Sequence, residues 1–270
     1  MEKFFLYIDI LGFSNLVKSS PAKIDDLYEV VASLNVIDHP EFKTIIFSDT
    51  ILVYNVQNPV DKNDNAFIIM YLCEFVKDLQ IRLTGRNIYF RAVVTRGEFN
   101  HYELNNIPCF YGAALIAAYN LEKGIQCIGL FMTDNCLPYS HIFKTAQFAD
   151  NLNFVYLTQL MDTLEYTFEG NLPLPKQLIT PMDYESYIVP EVLMLKSLYE
   201  NGMDENLDER SRQKHQVAFG LYKRRYPKCI STLINNNFMF SAISDQIDWS
   251  SFLKQYPEDF SWVRSENGGL

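Results

Sequence analysis

A chain of 270 residues, 48% of them hydrophobic, is long enough to bury a sizeable core as one large domain or as a smaller one with an extension. Its net charge of −10 argues against a general nucleic-acid or anionic-membrane binder, but leaves room for a nucleotide whose phosphates are screened by divalent cations. The five cysteines, at 73, 109, 127, 136 and 229, form no Cys-x-x-Cys pair, and no apolar run approaches the roughly 18 residues of a membrane span, which together predict a cytoplasmic protein.

After Met1-Glu2-Lys3 the chain enters an apolar run directly, so no secretory leader is predicted. Residues 4–10 read as a strand for the middle of a sheet, with Asp9 near its end. Gly12 permits a tight exit, and Ser14 suits the cap of a helix that continues, broken near Pro21, through Val31. Residues 43–48 and 50–57 read as a hairpin with Asp49 near its tip. A long amphipathic helix follows, carrying Phe67, Met70, Leu72, Phe75, Val76 and Leu79. Residues 88–98 form another strand, whose Arg91 and Arg96 lie five residues apart and so face opposite sides.

Residues 111–122 read as a helix rich in small side chains, 126–132 as a strand, and 145–149 with 154–157 as short strands near an edge. This order predicts an α+β fold, a ferredoxin-like, palm-type antiparallel sheet with helices covering one face. The composition changes at Gly170-Asn171-Leu172-Pro173-Leu174-Pro175, dividing the chain into a domain over 1–170 and a helical extension over 171–270 packed on it. Helices are expected over 184–200 and about 207–236, where the charged runs 208–215 and 223–225 read as a solvated face.

Asp9 and Asp49 each interrupt an apolar run. A carboxylate in that position either caps a turn or shares a cation, because a charge is seldom buried without a partner or a metal. Two carboxylates on neighbouring strand ends, with the Ile10 carbonyl as a further oxygen, suit two Mg²⁺ or Mn²⁺ ions. The chain lacks G-x-x-x-x-G-K-[ST], G-x-G-x-x-G and G-x-S-x-G, and its four histidines have no metal-ligand spacing.

Asp9-Ile10-Leu11-Gly12-Phe13-Ser14 resembles the D-I-x-G-F-[ST] motif of class III nucleotidyl cyclases, the adenylate and guanylate cyclase homology fold. Phe47-Ser48-Asp49 is similar to the hairpin that carries that family's second metal aspartate. Residues 91–98 resemble its R-x-G-[IV]-x-x-G-x strand, and 112–122 its G-x-x-V-N-x-A-A-R-L-E helix. These pieces occur in the family's order over roughly residues 1–135. The family's base-reading lysine and its partner carboxylate correspond to Ile45 and Cys109, and its helix asparagine and arginine to Ile116 and Asn120.

Within the superfamily the chain looks most like the pyrimidine cyclases of bacterial Pycsar anti-phage defence. That resemblance implies a homodimer with active sites between subunits and two Mn²⁺ or Mg²⁺ per site, held by Asp9, Ile10 and Asp49. It implies cyclisation of UTP or CTP, with UTP preferred here because no acidic or amide group is evident to read a cytosine amino group. The cyclic product then activates a separate effector. Arg91, Arg96 or Asn120 are the candidates for stabilising charge on phosphorus, and Thr50 and Tyr119 for the base or ribose. Two rivals remain: another two-metal nucleotidyltransferase on a palm-like fold, and a degenerate cyclase fold serving as nucleotide sensor or dimerisation module.

Overall fold

The computed structural model describes residues 2–34, 39–254 and 256. They fall into two compact units, residues 2–34 and 39–83 with 88–157, and residues 84–87 with 158–254 and 256. The predicted boundary near 170 gives way to one at 157–158, and the end of the predicted extension, 257–270, lies outside the described residues.

The first unit is built on a seven-stranded sheet in the order β2-β3-β1-β4-β7-β9-β8. Its strands are β1 (Glu2–Ile10), β2 (Phe42–Phe47), β3 (Thr50–Asn55), β4 (Phe90–Glu98), β7 (Gly129–Met132), β8 (Lys144–Ala149) and β9 (Leu152–Tyr156). β1 runs antiparallel to β3 and to β4, and β2 to β3, which gives the β2-β3-β1-β4 order of a ferredoxin-like split βαβ core. β7 then adds parallel to β4, and β9 and β8 follow antiparallel. The α+β class expected from the sequence is therefore observed.

Alternation along β1 divides two cores. Phe4, Leu6, Ile8 and Ile10 pack with α1 (Phe13–Ser19), α2 (Pro21–Ala32) and α3 (Lys62–Leu83) on one face. Phe5 and Tyr7 pack on the other with Leu52, Tyr54, Phe99 and two alanines of α4 (Ala113–Gly124). The expectation of helices on one face is thus corrected, because the stripe Ala114, Ala118 and Glu122 lets α4 lie against the opposite side. Gly12, at φ 71, caps α1 in the left-handed region, and Ser14 sits inside that helix instead of capping it. A further hairpin, β5 (Asn100–Leu104) and β6 (Ile107–Tyr111), precedes α4 and turns on Asn105 and Asn106 at φ 50 and 66.

The second unit is helical: α5 (Gln159–Asp162), α6 (Glu185–Met203), α7 (Glu209–Arg225) and α8 (Pro227–Asn235). Pro227 splits the single helix expected over 207–236. Buried carboxylates staple helix starts that lie far off in sequence. Glu191 accepts from the Leu160 and Met161 amides at 3.1 and 2.8 Å, and Glu165 from those of Lys228 and Cys229 at 3.2 and 2.9 Å. Asp208 caps α7, accepting from the Ser211 amide at 3.0 Å, so the charged run does lead into a helix, but its His215 is buried.

Burial and the nearby Lys214 charge push the His215 imidazole down to about 4. Its folded pKa lies below the unfolded value near 6.5, so the unfolded chain binds the extra proton and stability falls as pH drops through that window. Between pH 7 and 5 His215 accounts for about 2 kcal/mol of lost stability. Denaturant titrations of His215→Gln should show a correspondingly flatter pH dependence than the native protein; an unchanged slope would contradict this assignment.

Candidate active site

The register of the sheet brings the two aspartates to one end. Asp9 lies opposite Thr50 on β3 and opposite Arg91 on β4. The Ile10 amide donates to the Asp49 carbonyl at 2.9 Å, which fixes the β2–β3 turn beside the end of β1. In that two-residue turn Ser48 takes φ 55, and the Tyr28 hydroxyl donates to its carbonyl at 3.0 Å. Both aspartates are partly exposed.

Alternation places Asp9 on the face covered by α4, two residues from Tyr7. There Arg91 Nη2 reaches Asp9 Oδ2 at 3.0 Å and also pairs with the Glu122 carboxylate, while its Nη1 donates to the Ile125 carbonyl at 2.8 Å. Arg91 and Glu122 keep only 12% and 4% of their side-chain surface. Burial, followed by the charge of Asp9, pushes the Glu122 carboxyl up to about 7, and Arg91 opposes that rise. The Tyr7 hydroxyl lies 3.4 Å from that of Thr50; burial raises its pKa, and the charges of Asp9, Glu122 and Asp49 add to the rise. Tyr119 meets the Tyr7 ring edge-on at 6.3 Å, and Lys123 Nζ lies 3.9 Å from the centre of the Tyr119 ring.

Of the residues singled out from the sequence, Asp9, Ile10, Asp49, Thr50 and Arg91 meet at this sheet end, with Tyr119 joined through Tyr7. Arg96 does not join them. It lies opposite Phe4, five rungs or about 16 Å along the strand. It is on the other face as well, paired with Glu2 at 3.0 Å and over the Phe4 ring at 5.2 Å. Asn120 is exposed on α4, turned from the buried stripe. Glu122 and Tyr7 went unassigned in the sequence, although each carried a signal: Glu122 continues the i, i+4 alanine stripe, and Tyr7 shares the face of Asp9.

The donor set is all oxygen, the chemistry that hard divalent cations take. Among the described residues no group of three or more His, Cys, Asp or Glu side chains forms a ready metal cage. Two carboxylates and a carbonyl fit a Mg²⁺-type ion that completes its shell with water and substrate phosphates.

The chain matches no family model and no curated protein. Solved structures similar to it include the adenylyl cyclase CyaB from P. aeruginosa, at 12% identity and TM-score 0.42, covering 57% of this chain and 93% of that one. Another is the guanylate cyclase domain of RhGC from Catenaria anguillulae in complex with GTP, at 11% and 0.43, covering 57% and 96%. A third is a bacterial light-regulated adenylyl cyclase, at 13% and 0.41, covering 63% and 98%.

Removing Arg91 leaves Asp9 and Glu122 facing each other in a poorly solvated site, so Arg91→Met should lower the stability of the protein by about 3–5 kcal/mol in urea titrations. Adding Glu122→Leu should restore a large part of that loss. No destabilisation by Arg91→Met would show that the cation does not hold the site together.

Proposed function

We propose that the protein is a nucleotide cyclase that converts UTP to 3′,5′-cyclic UMP and pyrophosphate. The observation that carries this is the meeting of Asp9 and Asp49 beside the Ile10 main chain at one sheet end. The ordered motif resemblance over residues 1–135 adds to it, as does an oxygen-only donor set.

Asp9, Asp49 and the Ile10 carbonyl would hold two Mg²⁺ or Mn²⁺ ions. When bound, the ions lower the pKa of the ribose 3′-hydroxyl and neutralise the departing pyrophosphate. In the reaction the 3′-oxygen bonds to the α-phosphorus, the bond from that phosphorus to the bridging oxygen breaks, and the hydroxyl proton leaves to a base. Arg91, engaged with Asp9, Glu122 and the Ile125 carbonyl, is a positioning residue in this scheme: it holds the Asp9 carboxylate in one place. Both its Nη groups are engaged before substrate arrives, which argues against the transition-state role. Arg96 is too far away for that role. Thr50 and Tyr119 flank the space for base and ribose.

Pyrimidine preference is supported by what stands at the two base-reading positions of the family. Ile45 packs at the edge of the Phe5 and Tyr7 core and Cys109 is half-buried on β6, and neither presents a charged or amide group to a purine. Homodimerisation is supported by apolar side chains left exposed on β6 and α4, notably Ile107 at 63% and Ile116 at 62%. In the defence reading the cyclic nucleotide is a second messenger for a separate effector. One observation favours the sensor alternative: Arg91 is committed to ion pairs and Asn120 brings no charge.

Purified protein incubated with each of the four ribonucleoside triphosphates and Mn²⁺ should yield cyclic UMP. Asp49→Ala should lose at least about 100-fold in rate, since even an outer-shell partner of a metal ligand commonly accounts for 10–100-fold. Cyclic CMP in its place would reassign the base. Nucleotide binding without any cyclic product would favour the sensor.

A further inference from the structure

The candidate site holds the Asp9 and Glu122 carboxylates on one buried cation, Arg91, with Asp49 in the turn beside the end of β1, so that cation is consumed in holding two carboxylates. A triphosphate that enters such a site needs positive charge beyond the metals, on a side chain free to meet it. Resting on the cyclase reading above, we propose that Lys123 is the residue that binds the substrate triphosphate.

Position on α4 supports this first. The helix lies along β4, with Ala114 against Gly97 at one end and Glu122 paired to Arg91 at the other. Ala114, Ala118 and Glu122 form the buried stripe. Tyr119 and Lys123, one turn apart, share the flank beside that stripe, and the contact of Tyr119 with Tyr7 turns this flank toward β1 and β3. Lys123 therefore projects from the end of α4 that lies over Asp9 and Thr50, and its charge is felt at the Glu122 carboxylate.

Availability is the second argument. Lys123 is exposed and forms no ion pair among the described residues. Its ammonium rests over the Tyr119 ring, a contact that orients the group while leaving N–H donors open. The same ring is a candidate for the ribose or base, so an ammonium held beside it lies within reach of the attached phosphates. Position in the last turn of a helix is itself favourable for a lysine, so a purely structural role has to be separated by experiment.

The test measures binding of tripolyphosphate with Mn²⁺ by calorimetry, and KM and kcat for each triphosphate, in the full-length protein. The variants are Lys123→Met, which keeps the stem over Tyr119, Lys123→Arg, and Lys144→Met, which removes the same charge from the far edge of the sheet. Lys123→Met should weaken tripolyphosphate binding by about 10–100-fold, the size of one charge-assisted contact. Lys123→Arg should stay within about 3-fold of the native protein, and Lys144→Met should match it, because an arginine keeps the charge and a remote charge is screened. Cyclic product from the native protein with unchanged tripolyphosphate binding in Lys123→Met would overturn this proposal and leave the cyclase standing. Tripolyphosphate binding that depends on Lys123, without cyclic product, would sustain Lys123 as the anion ligand and remove the cyclase. Absence of both binding and product in the folded native protein would overturn both.

Discussion

Arg91 is the constraint on which the site depends. One guanidinium ties a carboxylate of β1, a carboxylate of α4 and the main chain just beyond that helix. A buried ion pair adds little stability compared with apolar packing of the same volume, yet breaking it leaves an uncompensated charge. Its contribution is therefore positional: it sets how deeply α4 sits and where the Asp9 carboxylate points. The planar fork of an arginine presents its donors in fixed directions, hydrogen-bonding Asp9 and the Ile125 carbonyl while ion-paired to Glu122, which an ammonium on a flexible stem does not do.

The approach of α4 that this ion cluster requires is made possible by small residues. A Cβ on Gly97 would sit 3.5 Å from Ala114, at ordinary contact distance, so an alanine but little more would fit between strand and helix there. At Gly112 a Cβ would fall 2.2 Å from the Glu98 carbonyl, so the chain can enter α4 there only as glycine. A larger residue at Ala114 or Ala118 would lift the helix and draw Glu122 away from Arg91. Packing and electrostatics at this site are in that sense one arrangement, with the alanine stripe setting the distance and the ion cluster setting the register.

Much of this was legible because it follows from local periodicity. The period of two separated Arg91 from Arg96, the break at Pro21 fell where the sequence put it, and Asp49 lies in the two-residue turn of the expected hairpin. What escaped depends on contacts between elements distant in sequence. Nothing local announces that Glu122 is buried, since a carboxylate on a helix is ordinarily solvated, and only the arginine brought by another strand makes its burial tolerable. The face chosen by α4 is likewise a property of sheet and helix together. The β5–β6 hairpin did leave a trace: Asn105-Asn106 is a pair suited to positive φ at both central positions of a turn. The helix expected over 207–236 ends at Arg225, because Pro227 removes a donor and starts a new helix.

The distribution of charge bears on whether the fold is a working site or a remnant. Asp9 and Asp49 lie at one end of an otherwise apolar sheet, where Glu122 of α4 reaches the Arg91 beside Asp9, and the Glu122 carboxyl is raised to about 7 by burial first and by the charge of Asp9 second. Such a cluster is unfavourable for folding, and an isolated sheet end has no structural need for it. Clusters of this kind make physical sense where a cation arrives to share them, since the repulsion that weakens the unliganded protein becomes attraction toward a divalent ion and the phosphates it carries. A sensor that bound nucleotide through hydrogen bonds alone would be better served by neutral side chains at positions 9 and 49. The local physics therefore weighs toward a site suited to cations, with Arg91 fixing where the Asp9 carboxylate points.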